Sequence, residues 1–231
     1  MQQTPLNQPP RPEAANLRRR NWSNAQAILL DLDRTLIDIE SEVDYCAALA
    51  RLQRAGFGLR DDLGAATSWG DCTRRVIDLL IGQPDRETWQ RADAIVVPCE
   101  LEGAERARAM PGLETLLRAL TGRPVGIVTL ASAAATQRVI ERYGLIVDAV
   151  VARSFEVPAK PHPDQLLVAL GTLGVEPAHA VMVGDSERDE MAAQAAGLAF
   201  IGVTNGRNDH RFDTAAALAM DLNEVAALLS E

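Results

Sequence analysis

The chain has 231 residues, enough for one α/β domain with a sizeable insertion or for two modest domains. Its formal net charge of -9 argues against a general binder of nucleic acid or of acidic membranes, which need a basic field, so an anionic substrate must be held by local positive charge or by metal. The 3 cysteines, Cys46, Cys72 and Cys99, form no CxxC pair, no run approaches the roughly 18 apolar residues of a membrane span, and the N-terminus lacks an apolar signal core, so a soluble cytoplasmic protein without disulfide framework or structural zinc is expected.

Residues 1–24 are rich in Gln, Asn and Pro and read as a flexible tail, with the basic run at 18–20 solvated. From Ala27 a short apolar run to Leu30 is bounded by charges, as expected of a strand buried on both faces, and it ends in Asp31-Leu32-Asp33-Arg34-Thr35-Leu36. From about 42 to 108 apolar residues recur at helical spacing, for example Val43, Cys46, Ala47, Leu49 and Ala50, which predicts an all-helical insertion. After Met110-Pro111-Gly112 strand and helix alternate. Helices are predicted over 113–120, 133–143, 163–173, 186–196 and 222–229, and strands over 125–129, 149–152, 180–183 and 198–203. Gly144 and Gly174 end two of the helices, and Asp221 is the expected N-cap of the last. Repeated βα units specify a parallel sheet with helices on both faces.

Four chemical signals fall at or just beyond predicted strand ends: Asp31 with Asp33, Thr129, Lys160, and Asp185 with Asp189. In one parallel sheet those ends open on one crevice. An Asp carboxylate can attack phosphorus, and Asp31, the first of its run, is the candidate nucleophile. Asp33, two residues on and on the same side of the chain, is the candidate general acid and base. Mg²⁺ takes hard oxygen ligands beside a substrate phosphate, and Asp31 and Asp185 would supply them, with Asp189 spaced to support the site. Lys160 would neutralise charge on nucleophile and phosphoryl group, while the Thr129 hydroxyl and nearby N–H groups would grip phosphate oxygens. Each signal alone also fits a turn, a cap or a surface charge, and their joint order is what points to phosphoryl chemistry.

With those motifs in order, the chain resembles the haloacid dehalogenase-like hydrolases, in particular the phosphoglycolate phosphatase-like members with a helical cap inserted after the first strand. The resemblance covers about 27–231, with Lys160-Pro161-His162-Pro163-Asp164 as the third motif and Gly184-Asp185-Ser186 through Asp189 as the fourth. It implies a Rossmann-like core at 25–38 and 110–231, a helical cap at 39–109, Mg²⁺ dependence and an aspartyl-phosphate intermediate. It also implies the Asp33 main-chain carbonyl as a further metal ligand, and the presence of Asp33 favours a phosphatase over a dehalogenase. The expected substrate is a small phosphorylated metabolite, without nucleic-acid or membrane partners, and the expected assembly is a monomer or homodimer. A sugar-phosphate phosphomutase and a catalytically idle metabolite-binding protein are the alternatives.

Two positions depart from the family pattern. Arg34 stands where Gly is frequent, and Leu130-Ala131-Ser132 follows Thr129 where the family often places Asn or Gly, leaving backbone N–H groups to serve. In the insertion, Arg51, Arg54, Arg60, Arg74 and Arg75 read as surface ion-pairing residues and Trp69 and Trp89 as core. His162, His179 and His210 read as solvated.

Overall fold

The computed structural model describes residues 22–58, 69–207 and 212–230. The readings made for residues 1–21, Arg60 and His210, and for the Trp69 side chain, lie outside what it describes. At the centre is β1 (Ala27–Leu30), buried at every position as its apolar run requires. It pairs in parallel with β4 (Val125–Ser132) on one side and β6 (Ala180–Gly184) on the other. Adding β5 (Ala149–Arg153), β7 (Ala199–Val203) and β8 (Ala217–Ala219) gives one parallel sheet of six strands in the order β5-β4-β1-β6-β7-β8. The chain winds outward from β1 through β4 to β5, then returns to the far side of β1 as β6. That reversal opens a crevice beyond the carboxyl ends of β1, β4 and β6.

Because strand side chains alternate, Ile28 and Leu30 join one apolar cluster and Ala27 and Leu29 the other. The first cluster includes Leu113 and Leu116 of α4 (Leu113–Ala119), Val139 of α5 (Ala133–Tyr143) and Val225 of α8 (Leu222–Ser230). The second takes in Leu166 and Leu170 of α6 (Asp164–Leu173) and Ala192 and Ala193 of α7 (Glu187–Ala196). Helices therefore cover both faces, the Rossmann-like α/β arrangement expected. The first cluster runs on through Leu36, Ile37, Ile39 and Val43 into the helical insertion, where it gathers Leu49, Leu52, Val76, Leu80 and Val96. The insertion is thus packed onto the sheet layer by a continuous apolar seam.

Among the described residues the insertion contains three α-helices: α1 (Tyr45–Arg54), α2 (Trp69–Ile81) and α3 (Arg86–Arg106). Asp44 and Asp85 cap α1 and α3, each carboxylate accepting a first-turn N–H at 2.8 Å. The chain enters and leaves through β2 (Ile37–Asp38) and β3 (Arg108–Ala109), paired antiparallel. Two-residue strands carry no readable alternation, so neither was predicted, nor was β8. Strand β4 runs three residues past Thr129, and ordered structure begins before Ala25, with Trp22 buried in a 3₁₀ turn at Trp22–Asn24. Asp221 caps α8 as expected, its Oδ1 accepting from the Asn223 and Glu224 N–H groups.

The expectation for the cysteines fails. Cys46 of α1 and Cys72 of α2 are joined in a disulfide, leaving Cys99 free and buried. The partners stand 26 residues apart in sequence and meet only because two helices pair side by side, so spacing gave no warning. By loop closure such a bridge contributes about 3–4 kcal/mol, and reduction is expected to lower the chain's unfolding free energy by that amount in denaturant titrations. Thiol titration of the denatured, unreduced chain should find one reactive group, rising to the 3 cysteines after reduction.

Candidate active site

Parallel register sets the sequence-named residues side by side. Leu30 is level with Ile127 of β4 and Val183 of β6, so Asp31, Thr129 and Asp185 emerge from three adjacent strands at the same edge. The Asp31 N–H donates to the Val183 carbonyl at 2.9 Å, which holds the residue in the ladder and fixes its direction. Lys160, from the loop between β5 and α6, is 1 % exposed. Its Nζ donates to Asp31 Oδ1 at 2.7 Å, to Asp189 Oδ1 at 2.6 Å and to the Val128 carbonyl at 2.8 Å. Burial works against the ammonium, but Asp189 and Asp31 outweigh it and hold Lys160 well above the ordinary lysine range.

The carboxylates show the opposite strain. Burial pushes Asp31 up to about 6, moderated by the Lys160 charge. Asp185 is pushed up to about 9, by burial first and then by Asp31 and Asp189. Oxygens of Asp31, Asp185 and Asp189 lie within 4.8 Å of one another, a hard-oxygen cluster whose mutual repulsion a divalent cation would relieve. The donor set therefore fits a hard divalent cation. Asp185 also accepts from Thr35 Oγ1 at 3.4 Å and from Arg207 Nη2 at 2.7 Å.

Asp189 of that cluster is also engaged on both carboxylate oxygens. One oxygen takes Lys160 and the other accepts from the Ser186 N–H at 3.1 Å and the Ser186 hydroxyl at 2.5 Å, a reciprocal capping box at the start of α7. A Cβ on Gly184 would come within 2.6 Å of the Asp189 Cβ, so the strand-to-helix turn closes this tightly only over glycine. Thr129 is fully buried; its Oγ1 accepts from the Ala131 N–H at 3.1 Å. Gln165 joins two motifs, accepting from the Lys160 N–H at 3.0 Å and donating to the Thr129 carbonyl at 3.1 Å.

Asp33 sits at the rim. Its Oδ1 accepts from the Ile39 and Glu40 N–H groups, both at 2.9 Å. Burial holds its carboxyl well above the ordinary range, with the Glu40 and Asp31 charges adding to the rise and the two N–H groups opposing it. Such a group can carry a proton at neutral pH. Arg34 has φ 61°, a left-handed conformation costly to any residue with a Cβ, and its carbonyl accepts from Asn205 Nδ2 at 2.7 Å. Its guanidinium pairs with Glu40 at 3.1 Å and is partly exposed. Arg34→Gly is therefore expected to raise stability by about 0.5–1 kcal/mol, read as a higher urea midpoint at unchanged slope, because relief of the backbone outweighs a half-solvated ion pair.

Asp31, Asp33, Arg34, Thr129, Lys160 and Asp185 line a cavity of about 400 Å³ roofed by the insertion. Gly70, Thr73, Arg74 and Ile77, at helical spacing along one face of α2, and Tyr45 of α1 complete its wall. A larger cavity of about 480 Å³, bounded by Leu117, Leu120, Leu145 and Val147, contains none of the site residues except by way of the neighbouring Leu30 and Leu36. Of the insertion arginines, Arg74 does pair with Asp71, at 2.7 Å, but it also faces the cavity, and Arg75 is buried rather than on the surface. Trp89 is half-buried, 6.4 Å between ring centroids from Phe155, rather than in a core. His162 is exposed beside Asp164, and His179 is exposed. Thr35, Gln165, Asn205 and Arg207 escaped the sequence reading. Thr35, inside the first motif, was the one with a signal to find.

A family model described as haloacid dehalogenase-like hydrolase matches residues 25–197, the span that holds every residue of the carboxylate–lysine cluster. The chain belongs to the haloacid dehalogenase-like hydrolases. Among curated relatives of this hydrolase, a phosphoglycolate phosphatase of Nitrosococcus oceani is 29 % identical over 219 residues, covering 89 % of this chain and 97 % of its own. One of Chromobacterium violaceum is 30 % identical over 221 residues, covering 90 % and 96 %. The fold matches that of CbbY from Rhodobacter sphaeroides, solved with phosphate, at a TM-score of 0.67 and 22 % identity over 90 % of this chain and all of that one. Among the described residues no helix of this hydrolase is long and apolar enough to cross a membrane.

Proposed function

We propose that this hydrolase is a phosphomonoesterase for a small phosphorylated metabolite, dependent on Mg²⁺ and working through an aspartyl-phosphate. The observation that carries the reading is the convergence of Asp31, Asp33, Thr129, Lys160 and Asp185 on one cavity at the carboxyl edge of the sheet. In this reading residues 25–38 and 110–231 form the catalytic core and 39–109 a cap that excludes water and selects the substrate. It acts in the cytoplasm, as a monomer or homodimer, without nucleic-acid or membrane partners. The phosphatase names of the curated relatives support the reaction class.

Asp31 attacks the phosphorus with one carboxylate oxygen while Lys160 steadies the other. The P–O ester bond breaks, and the leaving oxygen takes the proton from Asp33. Asp33, now a carboxylate, removes a proton from the water that attacks the acyl phosphate. Inorganic phosphate leaves and the Asp31 carboxylate is restored. Thr129 and the N–H groups after it hold the phosphoryl oxygens. Mg²⁺, held by Asp31, Asp185 and the Asp33 carbonyl with Asp189 in support, would neutralise charge on the phosphoryl group.

A panel of phosphorylated acids, sugars and nucleotides tests this. Phosphate release that stops on chelation and returns with Mg²⁺ is the expected result, whereas no release across the panel would overturn it. A product with the phosphate moved to another hydroxyl would replace hydrolysis by a mutase reaction.

A further inference from the structure

Beneath the end of β4, just past Thr129, lies a charged cluster that the proposed mechanism does not use. Glu100 of α3 is 0 % exposed and Arg153, at the end of β5, is 3 % exposed. Their side chains meet twice, Arg153 Nη1 to Glu100 Oε1 at 2.7 Å and Nη2 to Oε2 at 3.1 Å. Asp93, also on α3, takes Arg153 Nη2 at 2.7 Å, and the Tyr45 hydroxyl donates to Glu100 Oε1 at 3.2 Å.

Burying such a pair costs heavily in desolvation, and packed apolar side chains serve stability as well or better. A fully partnered buried pair does supply fixed geometry, and here it also holds main-chain atoms. Arg153 Nη1 donates to the Leu130 carbonyl at 2.7 Å, and Glu100 Oε2 accepts from the Ser132 N–H at 3.0 Å. Those atoms flank Ala131 in the stretch that departs from the family by lacking a side-chain amide. Leu130 and Ala131 themselves face the site cavity.

We propose that Arg153 and Glu100 are positioning residues for phosphate binding. They clamp the backbone of residues 130–132 from behind and so hold Thr129, whose hydroxyl engages the Ala131 N–H, in place against the phosphoryl oxygens without a side-chain amide to help. Since Glu100, Asp93 and Tyr45 belong to the insertion, the grip is set jointly by both parts of the chain. The inference rests on the phosphomonoesterase reading for its ligand class and on the contacts above for its geometry.

The test uses the full chain with Mg²⁺ and inorganic phosphate as probe. Glu100→Gln/Arg153→Met removes both charges together, which avoids stranding either one. Calorimetry is expected to give a phosphate Kd about tenfold weaker, the loss of charged hydrogen bonds to that backbone, with KM for any turned-over ester rising in step. The Mg²⁺ concentration for half-activation and kcat should both stay within about threefold, since the carboxylates are not touched. Should the double variant fail to fold, Glu100→Gln, which keeps an acceptor for Ser132, is expected to weaken phosphate by a smaller factor in the same pattern. Unchanged phosphate affinity in a folded variant, or phosphate and Mg²⁺ constants weakening together, would overturn the assignment. Phosphate binding by the unsubstituted chain without release of phosphate from any ester sinks the phosphomonoesterase reading alone, and the Kd comparison still decides the clamp. Absence of phosphate binding by the unsubstituted chain overturns both.

Discussion

Asp31→Asn is expected to lower turnover by on the order of 10⁵-fold while leaving a cooperative fold, because it removes the attacking oxygen and little else. Asparagine matches the aspartate in size, and its N–H can still donate to Val183. Lys160 keeps Asp189 and the Val128 carbonyl as partners, so no buried ion is left alone. Initial rates on the best ester from the substrate panel, with circular dichroism and a urea titration beside them, check both halves of the expectation. Near-normal turnover in a folded Asp31→Asn protein would remove the nucleophile from the mechanism.

Lys160→Met should damage both stability and rate. Its ammonium is the shared cation between Asp31 and Asp189, and the methionine that replaces it leaves two buried carboxylates facing each other. Breaking a buried pair on one side costs about 3–5 kcal/mol, which a urea titration reads as a large fall in midpoint. Lys160→Arg is not expected to rescue it, since a planar guanidinium cannot place donors on three acceptors arranged around a single nitrogen in a site 1 % exposed. At a denaturant-free pH where the variant is folded, kcat should fall by about 10² or more through loss of charge neutralisation at the phosphoryl group. A Lys160→Met protein as stable and active as the parent would mean the ammonium neither holds the cluster together nor assists the reaction.

The parallel sheet was legible because buried strands announce themselves as short apolar runs, and the first candidate residues because they follow those runs directly. Asp31 and Asp185 needed only that a strand should end where it did. Asp189 was legible as a neighbour of the site, but its work in holding Lys160 and Ser186 follows from a turn closed over Gly184, which spacing alone does not reveal. Arg207 and Asn205 reach the site from the segment after β7, at sequence separations of 22 and 171 from the groups they meet, and no local pattern reports a contact of that kind. The same holds for Glu100 with Arg153, 53 residues apart, and for Cys46 with Cys72. Helical periodicity marked residues 42–108 as a helical insertion without saying where its helices begin and end or which of their faces would meet. Trp89 and Arg75 show the result, the aromatic at a half-buried junction and the cation inside.

Asp33 is held by the N–H groups of Ile39 and Glu40, which stand just past β2, where the chain climbs from the sheet into the helices. In the proposed mechanism the proton donor is therefore aimed by backbone at the point where the chain enters the helical insertion, although it stands two residues from the nucleophile it serves. A substitution that displaces the Ile39 and Glu40 N–H groups would re-aim that proton without touching Asp31.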